Sequence, residues 1–172
     1  ENGAEFTSLF GQPDFESAQS GLDDNKLDNP TGAIRSGDKV YIADARSARG
    51  LSIDVTNFST LGSAEGVIGQ GDFESGVSEC NSNSLNDIEG MEVLELDNGT
   101  QWIVSDLSNN RIMIWNNYEA GAGADANTVL GQTSFNDCTA KTPDSHGLSA
   151  IYKPKDVWSN GENLIIVSQD SN

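Results

Sequence analysis

Trp102-Ile103-Val104-Ser105-Asp106, followed after a short polar turn by Asn109-Asn110-Arg111-Ile112-Met113-Ile114-Trp115, decides the fold. Two short runs of β-branched and aromatic residues, parted by Ser and Asn, read as strands joined by a tight turn. The series occurs earlier as Val40-Tyr41-Ile42-Ala43-Asp44, with Ser47-Ala48-Arg49-Gly50-Leu51-Ser52-Ile53 behind it. It returns as Ile165-Ile166-Val167-Ser168-Gln169, followed by Asp170-Ser171-Asn172 where the arginine strand is expected.

A second motif keeps step with the first. It reads Leu9-Phe10-Gly11-Gln12-Pro13-Asp14-Phe15, then Val67-Ile68-Gly69-Gln70-Gly71-Asp72-Phe73, then Val129-Leu130-Gly131-Gln132-Thr133-Ser134-Phe135. Two motifs recurring in register mark a repeat architecture whose units stack to share a core. The first unit holds four apolar runs, near 32–36, 40–44, 50–55 and 66–73. Leu164-Ile165-Ile166-Val167 is apolar without alternation, as in a strand covered on both faces. No window shows a helical stripe. The expected class is all-β, a β-propeller of four-stranded antiparallel blades, about three in this chain.

Length and charge narrow the functions. The 172 residues carry 27 acidic and 9 basic side chains, a formal charge of −18. That length predicts one domain with a real core. The charge repels nucleic acid phosphates and anionic lipids, so neither is an expected partner. No apolar stretch approaches the roughly 20 residues that span a bilayer, and no membrane insertion is expected. The N-terminal Glu1-Asn2-Gly3-Ala4-Glu5 lacks the basic and apolar regions of a signal peptide, which suits a mature product or one never exported. Scarce Lys with abundant Asn, Ser, Gly and Asp leans toward an extracellular, periplasmic or cell-surface location.

Taken together, the Gly-Gln-x-x-Phe segments, the Ala/Ser-Asp strand and Asn109-Asn110-Arg111-Ile112 resemble the NHL-repeat family of β-propellers. Pro30 and Pro154 match the proline that enters the first strand of its repeat, while the second copy has Ile88. The resemblance implies an outer strand of a preceding blade within 1–15, near 5–10, a first blade over 16–73 and a second over 74–135. An incomplete third blade then covers 136–172. It also implies a larger ring, six-bladed, whose remaining blades come from the same protein or from another copy or chain, since an interrupted blade leaves an unpaired edge. The family hosts sensors, scaffolds, RNA binders and a few enzymes, so function must be argued from sites.

In that arrangement the turns between second and third strands share one face with the long connections between blades. These connections, 16–29, 74–90 and 136–153, carry the candidate binding residues. They are Asp23, Asp24 and Asp28 in the first, Glu74, Glu79, Asp87 and Glu89 in the second, and His146 in the third. Long loops on a rigid scaffold are where binding concentrates. The expected function is a non-catalytic scaffold that binds a protein or glycan partner through this acidic face. Carboxylates also suit Ca²⁺, but Asp23-Asp24-Asn25-Lys26-Leu27-Asp28 lacks the EF-hand spacing, its Gly and its closing Glu. A solvated acidic surface is the plainer outcome.

No catalytic or metal-binding set is assigned. One branch of the family is a peptide-amidating lyase with several histidine zinc ligands, which His146 alone does not supply. The alternative function is a metal-dependent lyase or hydrolase completed by missing blades or another chain. Cys80 and Cys138 fall on successive connections of the same face, either bridged across two blades or left as unrelated thiols.

Asp44 and Asp106 are expected to cap the turns that follow their strands, a role in which Gln169 replaces them in the third copy. Arg49 and Arg111 are expected to pack and pair charge between blades. Gly11, Gly69 and Gly131 are expected to hold backbone conformations closed to other residues. The three tryptophans, Trp102, Trp115 and Trp158, are expected in the core.

Overall fold

The computed structural model describes residues 8–57, 62–116, 118, 121–140 and 151–169. Over these residues the chain is all-β, with ten strands and no helix. The first sheet joins β1 (Pro30–Ser36), β2 (Lys39–Asp44), β3 (Arg49–Asp54) and β4 (Gly66–Ile68), in that order. The second repeats the pattern with β5 (Ile88–Leu96), β6 (Gly99–Asp106), β7 (Arg111–Trp115) and β8 (Thr128–Leu130). The third pairs β9 (Pro154–Ser159) with β10 (Leu164–Ser168). Every neighbouring pair is antiparallel, and none of the sheets closes on itself.

Each sheet begins in the same way. Asn29, Asp87 and Lys153 adopt φ values of 62°, 58° and 42°, and the next residue, Pro30, Ile88 or Pro154, opens the first strand. A left-handed residue there turns the chain sharply before it extends. Pro30 then stands opposite Asp44, Ile88 opposite Asp106 and Pro154 opposite Ser168, with a register shift immediately beyond each pair. Ser168 thus holds the place of the two aspartates, which corrects the expectation that Gln169 does. Gln169 N donates to the carbonyl of Lys153 at 3.2 Å, just as Leu107 N donates to that of Asp87 at 3.3 Å.

This register decides which side chains face which neighbour, because successive residues of a strand point to opposite faces. Tyr41 and Ala43 of the first sheet pack on Val93, Trp102, Val104 and Met113 of the second. The Tyr41 and Trp102 rings meet edge to face, 4.7 Å between centroids. From its opposite face the second sheet offers Ile103 and Ile112 to Val157, Leu164 and Ile166 of the third. Each sheet therefore lays its forward face on the rear face of the next. The rear face of the first sheet, Ile42, Leu51, Ile53 and Val67, is packed by Phe10, Leu27 and Phe73.

Two expectations need separate comment. The outer strand near 5–10 lies outside the described residues as far as residue 7, and Ser8–Phe10 form no strand. Trp102 and Trp115 are each 1% exposed and belong to the core, whereas Trp158 is 49% exposed and does not. Trp158 lies on the forward face of the third sheet, on which no other described sheet is packed.

Candidate binding face at the connecting segments

The end of the sheets where the connections gather is built by a device used twice. Asp44 and Arg49 are fully buried and joined at 2.9 Å, and Asp106 and Arg111 likewise at 2.7 Å. In each case the aspartate closes one strand and the arginine opens the next, across a four-residue turn whose last member, Ala48 or Asn110, is left-handed. The other oxygen of each carboxylate faces the connection that leads into the sheet. Asp28 N donates to Asp44 Oδ1 at 2.6 Å, and Asn86 N to Asp106 Oδ1 at 2.8 Å.

The arginines reach further. Arg49 Nη2 donates to the carbonyl of Lys26 at 2.9 Å, and Arg111 Nη2 to that of Ser84 at 2.8 Å. Arg49 Nη1 donates to the Phe73 carbonyl, 24 residues downstream. Arg111 Nη1 donates at 2.5 Å to the Phe135 carbonyl, also 24 residues downstream. A planar guanidinium suits this work, since its donors diverge in a fixed fork. Each pair pins the connection before its sheet and the connection after it to one buried point. The aspartates accept their backbone N–H bonds from the preceding connections, and only side-chain bonds from the turns that follow their strands, which corrects the turn-capping role expected for them. The arginines pair within their own sheet, which corrects the inter-blade pairing that the sequence suggests.

A glutamine closes each connection at its start. Gln12, Gln70 and Gln132 donate through Nε2 to the carbonyls of Gln19, Val77 and Thr139, seven residues on in every case, at 2.9 Å. Gly11, Gly69 and Gly131 precede them with φ of 89°, 79° and 90°. A Cβ on Gly131 would stand 2.6 Å from Ile151, and one on Gly69 would strike Leu85. Glycine is required twice over, by the backbone angle and by the approach of the apolar residue at the end of its own connection.

Cys80 and Cys138 form a disulfide with Cα atoms 6.1 Å apart. It ties the second connection to the third. Asn110 Nδ2 adds a bond to the carbonyl of Cys138 at 3.3 Å, and Asn109 Nδ2 one to the carbonyl of Glu79 at 2.9 Å. Turns and connections therefore meet at one end of the sheets.

The acidic candidates are distributed over this end rather than converging. Asp23 pairs with Lys26 at 3.0 Å, and the Lys26 contact with the Asn25 N–H holds its carboxyl below the usual range. Asp24 offers its carbonyl to Ala64 N at 2.7 Å, and Asp28 faces Arg46 at 3.5 Å. Glu74 and Glu79 are exposed, the latter accepting from Asn81 Nδ2 at 2.8 Å. Asp87 is the left-handed residue before β5 and accepts from Ser108 Oγ at 3.5 Å. Glu89 lies inside β5, away from the connections, and pairs with Lys155 at 3.0 Å. It borders a cavity of about 450 Å³ between the first strands of the three sheets, with Ile34, Glu92, Lys155 and Asp156. His146 lies outside the described residues. Among the described residues no three His, Cys, Asp or Glu side chains are grouped to hold a metal ion.

Burial pushes the Asp106 carboxyl up to about 6, against the pull of Arg111, Asn109 and the Asn86 N–H. Burial moves Asp44 in the same direction. Both are structural carboxylates whose oxygens are already occupied.

No protein-family model matches the chain, and no curated protein matches it in sequence.

Proposed function

We propose that the three sheets are successive blades of a propeller of the NHL-repeat type, and that the chain is a non-catalytic binding scaffold working outside the cytoplasm. Its connection-rich end recognises a protein or glycan partner, and the other blades of the ring come from the same protein or another copy or chain. The observation that carries this reading is the restraint on the connections. Buried Asp–Arg pairs hold both four-stranded sheets' connections from beneath, and the Cys80–Cys138 bridge ties two of them together. Loops held on a rigid scaffold lose little entropy on binding, which favours recognition over catalysis by a mobile lid. The disulfide suits an oxidising compartment. With a formal charge of −18 the face favours a partner with cationic or hydrogen-bond donor groups, and association should weaken with salt.

The test is a double substitution of the exposed acids, Glu74→Gln with Glu79→Gln, scored against a panel of basic protein surfaces and glycans. The expected result is at least about tenfold weaker binding, the loss of roughly 1.4 kcal/mol, with the fold unchanged. Equal binding by both forms, or no binding to any member of the panel, contradicts this role. No observation among the described residues favours the metal-dependent lyase or hydrolase.

A further inference from the structure

Asn98-Gly99-Thr100 takes no part in the binding face, yet it has the Asn-x-Ser/Thr spacing that accepts an N-linked oligosaccharide. The spacing counts only where the asparagine stands on a surface loop of an exported chain. Here Asp97 and Asn98 form the turn of the β5–β6 hairpin, closed by the pairing of Leu96 with Gly99. Asn98 is exposed, and its carboxamide makes no hydrogen bond among the described residues. The Thr100 hydroxyl belongs to the same hairpin and donates to Glu95 Oε2 at 3.1 Å.

Comparable asparagines differ. Asn160, in the turn of the β9–β10 hairpin, is tied down: its Oδ1 accepts from Glu162 N at 3.1 Å and from Asn163 N at 2.8 Å. Asn160-Gly161-Glu162 also lacks the hydroxyl residue. Asn29-Pro30-Thr31 has the hydroxyl but is barred by the proline that opens β1. The other full match, Asn57-Phe58-Ser59, has its last two residues outside the described ones and carries none of the argument. The place of Asn98 matters as well. β6 runs from Gly99 to Asp106, and Asp106 lies where the connections gather, so Asn98 stands at the opposite end of the sheet. Beside it Leu96 is 39% exposed, a large apolar side chain left in water.

We infer that Asn98 is an N-glycosylation site, so that the tip of the β5–β6 hairpin carries an oligosaccharide. In the transfer Asn98 Nδ2 bonds to the anomeric carbon of a diphosphate-linked oligosaccharide. The carbon–oxygen bond to the diphosphate breaks, the diphosphate leaves with the electron pair, and Nδ2 releases one proton. The glycan adds bulk and polarity beside Leu96 and leaves the connection-rich end open to its partner. The inference rests on the proposed location outside the cytoplasm, the compartment in which the Cys80–Cys138 bridge also persists.

The test is mass spectrometry of the peptide that holds Asn98, on the protein as its source produces it. The peptide should carry a hexose- and hexosamine-containing mass increment, with loss of the unmodified form. Peptide-N-glycosidase in heavy-oxygen water should remove the increment and leave a labelled aspartyl side chain, which separates glycan release from spontaneous deamidation of the Asn-Gly pair. Secreted from glycosylating cells, the parent and Thr100→Ser should keep the increment, while Asn98→Gln and Thr100→Ala should lose it with the fold unchanged. An increment that survives Thr100→Ala overturns the assignment. So does an unmodified Asn98 peptide from the source beside an intact Cys80–Cys138 bridge, a result that leaves the location outside the cytoplasm standing. An unmodified peptide with both cysteines as free thiols overturns the two together.

Discussion

Asp106 and Arg111 are both completely buried, and Oδ2 of the one accepts from Nε of the other at 2.7 Å. The cost of taking two charges out of water is offset because both terminal nitrogens of the guanidinium are bonded too, to the carbonyls of Phe135 and Ser84. Removing one partner should therefore cost far more than a surface pair would. Arg111→Met should destabilise the chain by about 3–5 kcal/mol in urea unfolding, through an unpaired buried carboxylate and two orphaned carbonyls. Replacing both residues, Arg111→Met with Asp106→Leu, should cost less than the sum of the single changes. Strict additivity would mean that the pair is not coupled.

The pH dependence follows from the same carboxylates. Folding raises Asp106 to about 6 and raises Asp44 as well, so the folded state holds those protons more tightly than the unfolded chain. Stability from this source rises as pH falls from neutral through about 6 toward about 4, by on the order of 2 kcal/mol. Relief of self-repulsion at a charge of −18 acts in the same direction. Asp54 and Asp72 act oppositely. Hydrogen bonds from Thr56 and Ser75 lower them, so their contributions disappear only as pH falls through the acid range. The urea midpoint should be highest between about pH 4 and 6. A midpoint that falls steadily from pH 8 to pH 5 would contradict the assignment.

The disulfide should matter chiefly through the unfolded chain. Cys80 and Cys138 are 58 residues apart in sequence, and closing a loop of that size contributes roughly 4 kcal/mol in the chain-entropy picture. Cys80→Ser with Cys138→Ser should lower the unfolding free energy by about that amount, while β-sheet circular dichroism persists. Unchanged stability of the serine form under oxidising conditions would show that the bridge restrains nothing.

At Gly69 a single methyl group should be felt. Its φ is 79°, and an added Cβ meets the Leu85 side chain and, at 3.0 Å, the carbonyl of Ala48. Gly69→Ala should cost about 2–4 kcal/mol, strain and overpacking together. Gly37→Ala, also left-handed but with open space around it, should cost only about 1 kcal/mol. Equal costs would remove packing from the explanation.

Much of this was legible in the sequence, for identifiable reasons. The β-branched runs around Val40, Ile103 and Ile112 fixed where strands form, and the recurrence of Gly-Gln with Ala/Ser-Asp fixed the order of the sheets. The register of the third sheet was not legible. Leu164-Ile165-Ile166-Val167 has no polar alternation, so a slip of one residue leaves the sequence equally plausible while turning every side chain over. Only the pairing of Pro154 with Ser168 reveals that Trp158, Ile165 and Val167 face outward. The carbonyl targets of Arg49 and Arg111 were hidden for another reason. A backbone oxygen carries no residue-type signature, so nothing at Phe73 or Phe135 announces the contact. The constant spacing of Arg, Gln and Phe between copies was the available clue. Glu89 is expected on the connection 74–90, yet it belongs to a strand because β5 starts at Ile88.

The central claim, that like sheets pack forward face to rear face along the chain, is tested most directly by nuclear Overhauser contacts in solution. The account predicts cross-peaks between the Tyr41 and Trp102 rings and between the Ile103 and Val157 methyls, together with slow exchange of the Leu107 amide. Strand-to-strand contacts within each sheet but none between Tyr41 and Trp102, or contacts from Ile103 to Ile165 in place of Val157, would contradict it.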